Sequence, residues 1–367
     1  MAAAKTLPSN PSYAMVLLIY KLGMPKFRRF KVFKLMVLVS VITIALAAAG
    51  CGNPAGQELV VYSARNEAFV QPLTDSFQEE TGIRVRLLSS SEALVNKIVS
   101  EKGNVQADLF FSNDAGAMEF LRLEGALQAN GSAALEVIDP RFRAEDGSWT
   151  GLSARTRVLI YNKDLIGEEE MPSGIWELTD PKWKGQFMIT RGGNSSMVTH
   201  VAGLRMAWGD EKALEWVQGI KENAGAIVNG HTDIRRAVGA GEYRFGLVNN
   251  YYYHLQLNEL ENNNVGVIYP DQEGMGAFVN VGGIALLAGA PNEANAKMFI
   301  EWLLEPEQQK VFAYNSREVP LNPEVEAAPE ASPISSYRIM DISLQELGIY
   351  WIDAKHLIEE AGLDLGI

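Results

Sequence analysis

Cysteine occurs once in the 367 residues, at Cys51, so no disulfide can form within the chain and the fold must be held by its core. Histidine is nearly as scarce. His200, His231, His254 and His356 are scattered, which excludes a Cys/His zinc cluster. Gly-x-Ser-x-Gly and His-Glu-x-x-His are absent, and Gly239-Ala240-Gly241 follows a helical pattern rather than a strand, which excludes a dinucleotide fingerprint. There is no internal repeat and no low-complexity tract. These absences favour a binding protein over a hydrolase of exported substrates.

Acidic residues are missing from the first fifty positions, which hold Lys5, Lys21, Lys26, Arg28, Arg29, Lys31 and Lys34. The basic run ends at Lys34 and meets an apolar run, Leu35 to Gly50. About 16 residues is short for a membrane span and suits the core of a secretory signal. Ala48-Ala49-Gly50-Cys51 resembles a lipobox, with Ala48 where Leu is more usual. Residues 1–50 therefore read as a lipoprotein signal peptide, Cys51 as the lipid anchor and 51–57 as a tether; the alternative is an uncleaved membrane anchor. Met24-Pro25-Lys26-Phe27-Arg28-Arg29 would itself open an ordinary signal peptide, which suggests a later start codon. Without the seven basic residues of the signal, 25 of the 32 remain against 45 acidic ones, a balance of −20. So acidic a body excludes nucleic acid as partner and leaves the anchor as its only hold on a membrane.

The body alternates. Glu58 to Ser63 reads as a strand, Phe69, Leu73 and Phe77 recur every fourth residue until Gly82, and Ile83 to Leu88 is the next strand. This is a βαβ unit with parallel strands. Helix Glu92 to Ser100, strand Ala107 to Phe111 and helix Ala115 to Glu124 extend it into a doubly wound α/β lobe. Its ligand-facing turns are Ser63 to Asn66, Ser89 to Ser91 and Ser112 to Asp114. Gly151 to Lys163 reads as an extended segment crossing into a second lobe. There, strand Gln186 to Thr190 leads into Arg191-Gly192-Gly193-Asn194-Ser195-Ser196, either an anion cradle or a plain N-cap turn. Helices Glu211 to Glu222 and Asp233 to Ala240 follow. Gly274 to Leu287 returns the chain to the first lobe, where Asn292 to Leu304 is amphipathic, and Asp341 to Ala361 reads as a terminal helix.

The centre of the pattern is Asn249-Asn250-Tyr251-Tyr252-Tyr253-His254, after the apolar run Phe245-Gly246-Leu247-Val248. That run predicts a buried strand and the residues beyond it a helix capped by Asn250. Only an irregular corner lets neighbouring side chains converge. Tyr251 and Tyr252 would then offer two phenolates to a hard cation such as ferric iron. The competing reading is an interfacial aromatic cluster or a sugar-stacking platform.

Phe-Gly-Leu-Val-Asn-Asn-Tyr-Tyr-Tyr-His resembles the iron-ligating segment of the ferric-ion-binding proteins of bacterial ABC importers, and Pro320-Leu321-Asn322-Pro323 matches that family's late turn. The resemblance spans Leu59 to Gly362. It implies a periplasmic-binding-protein-like fold of type II: two doubly wound α/β lobes joined by a crossing-strand hinge, with 58–156 and 276–322 in lobe 1 and 157–275 and 323–367 in lobe 2. It implies an exported, monomeric protein with Tyr251 and Tyr252 as iron ligands, delivering to an ABC permease and its ATPase. The sequence departs from the pattern where the family places a His and a Glu, since Asn66 and Asn113 stand there, and no Tyr occupies the second-lobe Gly/Ser turn. Carbonate, phosphate or citrate, held by Arg191, Gly193, Asn194, Ser195 and Ser196 with Arg155 and His231, would supply the missing oxygens. His231 is otherwise a helix-cap neighbour. The alternative ligand is an organophosphate, phosphonate or other small anion bound by Arg65, Arg155, Arg191 and the Ser turns.

Overall fold

The computed structural model describes residues 58–90 and 94–363. The expected signal peptide, Cys51, the tether and Ser91 lie outside them. The chain divides into Met1–Ala55 and Gly56–Ile367, and the fold is that of the second unit.

In the first half β1 (Glu58–Ser63), α1 (Glu67–Thr81), β2 (Arg84–Ser89), α2 (Leu94–Ser100), β3 (Leu109–Ser112) and α3 (Ala115–Leu123) alternate as expected. Asn66 caps α1 by accepting from the Ala68 N–H, and Gly82, at φ 72°, ends the helix in the left-handed conformation that glycine adopts without strain. β1 lies between β2 and β3, parallel to both. Val61, Phe110 and Phe111 are buried because helices cover both faces of these strands.

The 14-residue strand β4 (Trp149–Asn162) crosses between the halves. Up to Thr156 it pairs antiparallel with β9 (below); from Arg157 it pairs antiparallel with β7. The second half holds β5 (Phe187–Thr190), α4 (Ser195–Trp208), α5 (Asp210–Asn223), β6 (Ala226–Val228), α6 (His231–Gly239), β7 (Phe245–Asn249), α7 (Asn250–Leu257) and β8 (Val265–Ile268). β9 (Val279–Leu286) then re-enters the first half between β3 and β4. It is followed by α8 (Glu293–Leu304), α9 (Pro306–Ser316) and the short β10 (Val319–Pro320), which pairs with β4. The resulting order is β2-β1-β3-β9-β4-β7-β5-β6. The last helix, α10 (Leu347–Glu360), starts later than the expected Asp341. It packs on both halves: Trp351 stacks on Phe120 of α3 at 5.7 Å, and Arg205 of α4 donates to the Tyr350 carbonyl over 3.1 Å.

The return from β8 to β9 holds a carboxylate under stress. Asp271 accepts from the Ile175 N–H over 3.3 Å, and partial burial pushes its pKa from 3.8 up to about 6. Between those values the folded state keeps a proton that the unfolded chain has released, so this group's contribution falls as pH rises from about 4 to 6. Asp271→Asn removes the ionisation and keeps an acceptor, and Asn tolerates the φ of 61° at this position. The variant is expected to melt at a higher temperature than the parent at pH 7.5 and at nearly the same temperature at pH 4. Equal shifts at both values would show that charge is not the cause.

Candidate metal centre

β7 delivers the tyrosine corner against β4. Asn249, the last residue of β7, stands at the N-cap position of α7 without a side-chain capping bond, which corrects the expectation that Asn250 caps the helix. The reason is a stronger claim on Asn250: its Oδ1 accepts from the Thr156 N–H over 3.0 Å, at the residue where β4 changes partners. In the first turn of α7 the rings of Tyr251 and Tyr252 lie 4.3 Å apart at 34°. Tyr252 and Tyr253 both pack against the second-half cluster of Val158, Ile160 and Val248.

Three buried guanidinium groups surround this pair. Arg157 donates from Nη1 to His231 Nε2 and to Asn249 Oδ1, each over 3.2 Å. Because arginine only donates, Nε2 of His231 must be the unprotonated nitrogen. Burial, and then Arg157, hold that imidazole well below its ordinary pKa, so it is neutral. Its ring lies 4.9 Å from that of Tyr252. Burial pulls the Arg157 guanidinium below its ordinary value, while Tyr251 and Tyr252 pull it back. Arg155 lies 6.0 Å from the Tyr251 ring centroid, and Arg65 lies over Phe312 at 4.7 Å.

One carboxylate answers these charges. Glu318 accepts from Arg65 Nη1 and Nη2 over 3.2 and 3.1 Å, bonds Ser153 Oγ, and stands 3.4 Å from Arg155 Nη2. The arginines hold its carboxyl below the ordinary range despite complete burial. Nε and Nη2 of both Arg155 and Arg157 make no hydrogen bond in the protein. The backbone of β9 comes close to the cluster, and a Cβ at Gly282 would sit 2.4 Å from Arg155 Nη2 and from Arg65 Nη1. Burial is also the main cause raising the Tyr252 phenol, with Tyr251 next, so Tyr252 is protonated at neutral pH.

The remaining expected residues divide. Ser196 Oγ accepts from Asn249 Nδ2 over 3.2 Å, and Asn194 caps α4, which ties the Gly193 to Ser196 turn to the corner. Arg191 anchors the start of that turn through its N–H, which donates to the Val228 carbonyl over 2.8 Å. Asn113 donates to the Ala64 carbonyl over 2.5 Å, so it braces the first-half turns. Asn66 is exposed and occupied in capping α1.

Arg157, Asn249, Ser153 and Glu318 were not among the expected site residues. Arg157 was accessible to inspection, since Arg-x-Arg on a strand puts both side chains on one face. Glu318 gave no local signal, being 253 residues from Arg65. Among the described residues no group of three or more His, Cys, Asp or Glu could hold a metal ion, so a cation here depends on the phenols.

Residues 73–337 match the family described as bacterial extracellular solute-binding protein. The chain is 34% identical over 316 residues to iron uptake protein A1 of Synechocystis sp., an alignment covering 83% of this chain and 87% of that one. Its fold superposes on the Trichodesmium protein (IdiA, FutA) in complex with iron and citrate, with a TM-score of 0.74, 31% identity, and 84% and 100% of the two chains covered. Iron-bound HitA from Pseudomonas aeruginosa gives a TM-score of 0.79 at 28% identity, covering 83% and 99%.

Proposed function

The chain belongs to the bacterial extracellular solute-binding proteins, binders rather than enzymes, and from that premise we propose that it captures ferric iron on Tyr251 and Tyr252. The observation that carries this reading is the pair of phenol rings 4.3 Å apart, faced by the buried Arg155 and Arg157, with no carboxylate or thiol cluster among the described residues to bind a softer or divalent metal. Iron uptake by the Synechocystis relative and bound iron in the two superposed structures support it.

Two phenolates leave most of the iron's coordination unfilled. A carbonate, phosphate or citrate would supply the rest and take the unused donors of Arg155 and Arg157. Binding must expel the Tyr252 proton, so affinity rises with pH.

The proposed halves are 58–156 with 276–322 and 157–275 with 323–367, rotating about the crossing strands. The change of β4 partners at Thr156 and Arg157 supports that boundary. A permease is the partner, as for solute-binding proteins of importers. Delivery to it, with its ATPase, by a monomer tethered through Cys51 is the finer proposal. Cys51→Ser is expected to release the protein from membranes; retention of the variant at wild-type levels, with its N-terminus intact, would point to an uncleaved anchor.

The spectrum decides the ligand. Iron-free protein loaded with ferric citrate is expected to develop a visible phenolate-to-iron charge-transfer band, stronger at pH 8 than at pH 5.5. A colourless, iron-free product would overturn the reading and favour the organophosphate alternative.

A further inference from the structure

Asn-Gly, the pair in which an asparagine side chain is least shielded from the next backbone nitrogen, occurs twice, at Asn130-Gly131 and at Asn229-Gly230. The two are held differently. Asn130 is buried, its Oδ1 accepts from the Ser132 N–H over 3.1 Å, and Gly131 has a φ of 76°, so a turn accounts for that glycine. Asn229 is exposed on the loop from β6 to α6. Gly230 stands at φ −151° and ψ 165°, an extended conformation open to any residue, and a Cβ there would meet nothing within 4 Å. No positive φ or close approach calls for glycine at this position. Its missing side chain leaves open the path from the Gly230 nitrogen to the Asn229 side-chain amide.

We propose that Asn229 is a site of spontaneous deamidation and that its product retires the protein from iron capture. The Gly230 nitrogen attacks Asn229 Cγ. The N–Cγ bond forms, the Cγ–Nδ2 bond breaks, and the proton of the Gly230 N–H leaves with the amide nitrogen as ammonia. Water then opens the cyclic imide. Hydrolysis at Cγ leaves an aspartyl residue. Hydrolysis at the main-chain carbonyl leaves an isoaspartyl residue, in which the chain runs through Cβ and Cγ and the former main-chain carbonyl is a free carboxylate.

The isoaspartyl product would disturb the site from two sides. The Asn229 carbonyl accepts from Asn194 Nδ2 over 3.2 Å, and Asn194 Oδ1 accepts from the Ser196 N–H over 3.0 Å at the head of α4. Turning that carbonyl into a carboxylate puts a negative charge against the turn assigned above to the synergistic anion, where it repels a second anion. On the other side lies His231, bonded to Arg157 and 4.9 Å from the Tyr252 ring. One extra methylene in the main chain ahead of His231 displaces the start of α6 and with it that contact. The effect on capture rests on the iron reading above; the chemistry of the loop does not.

The test incubates the full-length, iron-free protein at mildly alkaline pH, which favours the attacking amide anion, beside a sample kept mildly acidic. Tandem mass spectrometry is expected to find the amide-to-acid mass change at Asn229 and not at Asn130, and isoaspartate methyltransferase should label only the alkaline sample. Ferric iron with bicarbonate should bind the aged protein about tenfold more weakly than the fresh protein, the scale of a change made beside a metal site. Gly230→Ala and Asn229→Gln should each bind iron as the fresh parent does and keep that affinity through the incubation. An unmodified Asn229, conversion of Asn130 at the same rate, or a converted protein with its iron affinity intact would overturn the proposal and leave the iron reading standing. A fresh protein that binds no ferric iron would overturn the iron reading and the effect on capture, while the mass spectrum would still decide the deamidation.

Discussion

Tyr251→Phe and Tyr252→Phe are each expected to cost the protein more than about 100-fold in ferric iron affinity, and the double variant should bind no iron and show no visible band. The floor comes from metal sites generally, where changing even an outer-shell partner costs about 10–100-fold. Removing a ligand costs more, and here the surroundings magnify the loss. Without its phenolates the centre presents the cations Arg155 and Arg157 to an incoming trivalent cation. Phenylalanine keeps the ring contact at 4.3 Å, so melting temperature should hardly move. Isothermal titration with ferric citrate, read beside thermal melts, separates the effects. A Tyr252→Phe protein that keeps wild-type affinity would show that this phenol is only a ring in a cluster.

Glu318→Ala is expected to destabilise the fold by about 3–5 kcal/mol, because it strands Arg65 and Arg155 in the interior without a counter-charge. Glu318→Gln should cost less, since it keeps an acceptor for Arg65. The acid dependence follows from the depressed pKa. Glu318 contributes its full stabilisation above the ordinary value of 4.5, and loses it as acidification passes through the lower folded value. Urea titrations at pH 7 and at pH 3 check both statements. The difference between parent and Glu318→Gln should narrow at pH 3, and an unchanged difference would mean that packing rather than charge holds the carboxylate.

The two positions mark what local sequence can disclose. Tyr251 and Tyr252 were visible because a strand, a turn and a helix follow one another within a dozen residues, and each leaves a periodic trace. The alternation of β1, α1, β2, α2, β3 and α3 was visible for the same reason. Asn250 was misassigned as the cap because capping was judged from the helix alone, whereas the Thr156 N–H that claims its side chain comes from a strand 94 residues away. Glu318, two residues before the Pro320 to Pro323 turn, was given no role, since an ion pair closed across 253 residues has no local period. The helix α10 read correctly as a helix, yet its packing on α3 and α4 together depends on where the halves meet. Local order was therefore legible, and charge pairing across the fold was not.

The central strand β9 has a further consequence, in the timing of folding. Its partners are β3, from Leu109, and β4, from Trp149, while its own residues begin at Val279. The first half cannot complete its sheet until most of the polypeptide has emerged, and the Arg65–Glu318 pair closes later still. Such distant pairings fold slowly. A slow folder stays extended long enough to be threaded across a membrane before it compacts. Truncation at residue 278 should therefore yield a chain that remains sensitive to protease, whereas the intact polypeptide becomes resistant in a single late step.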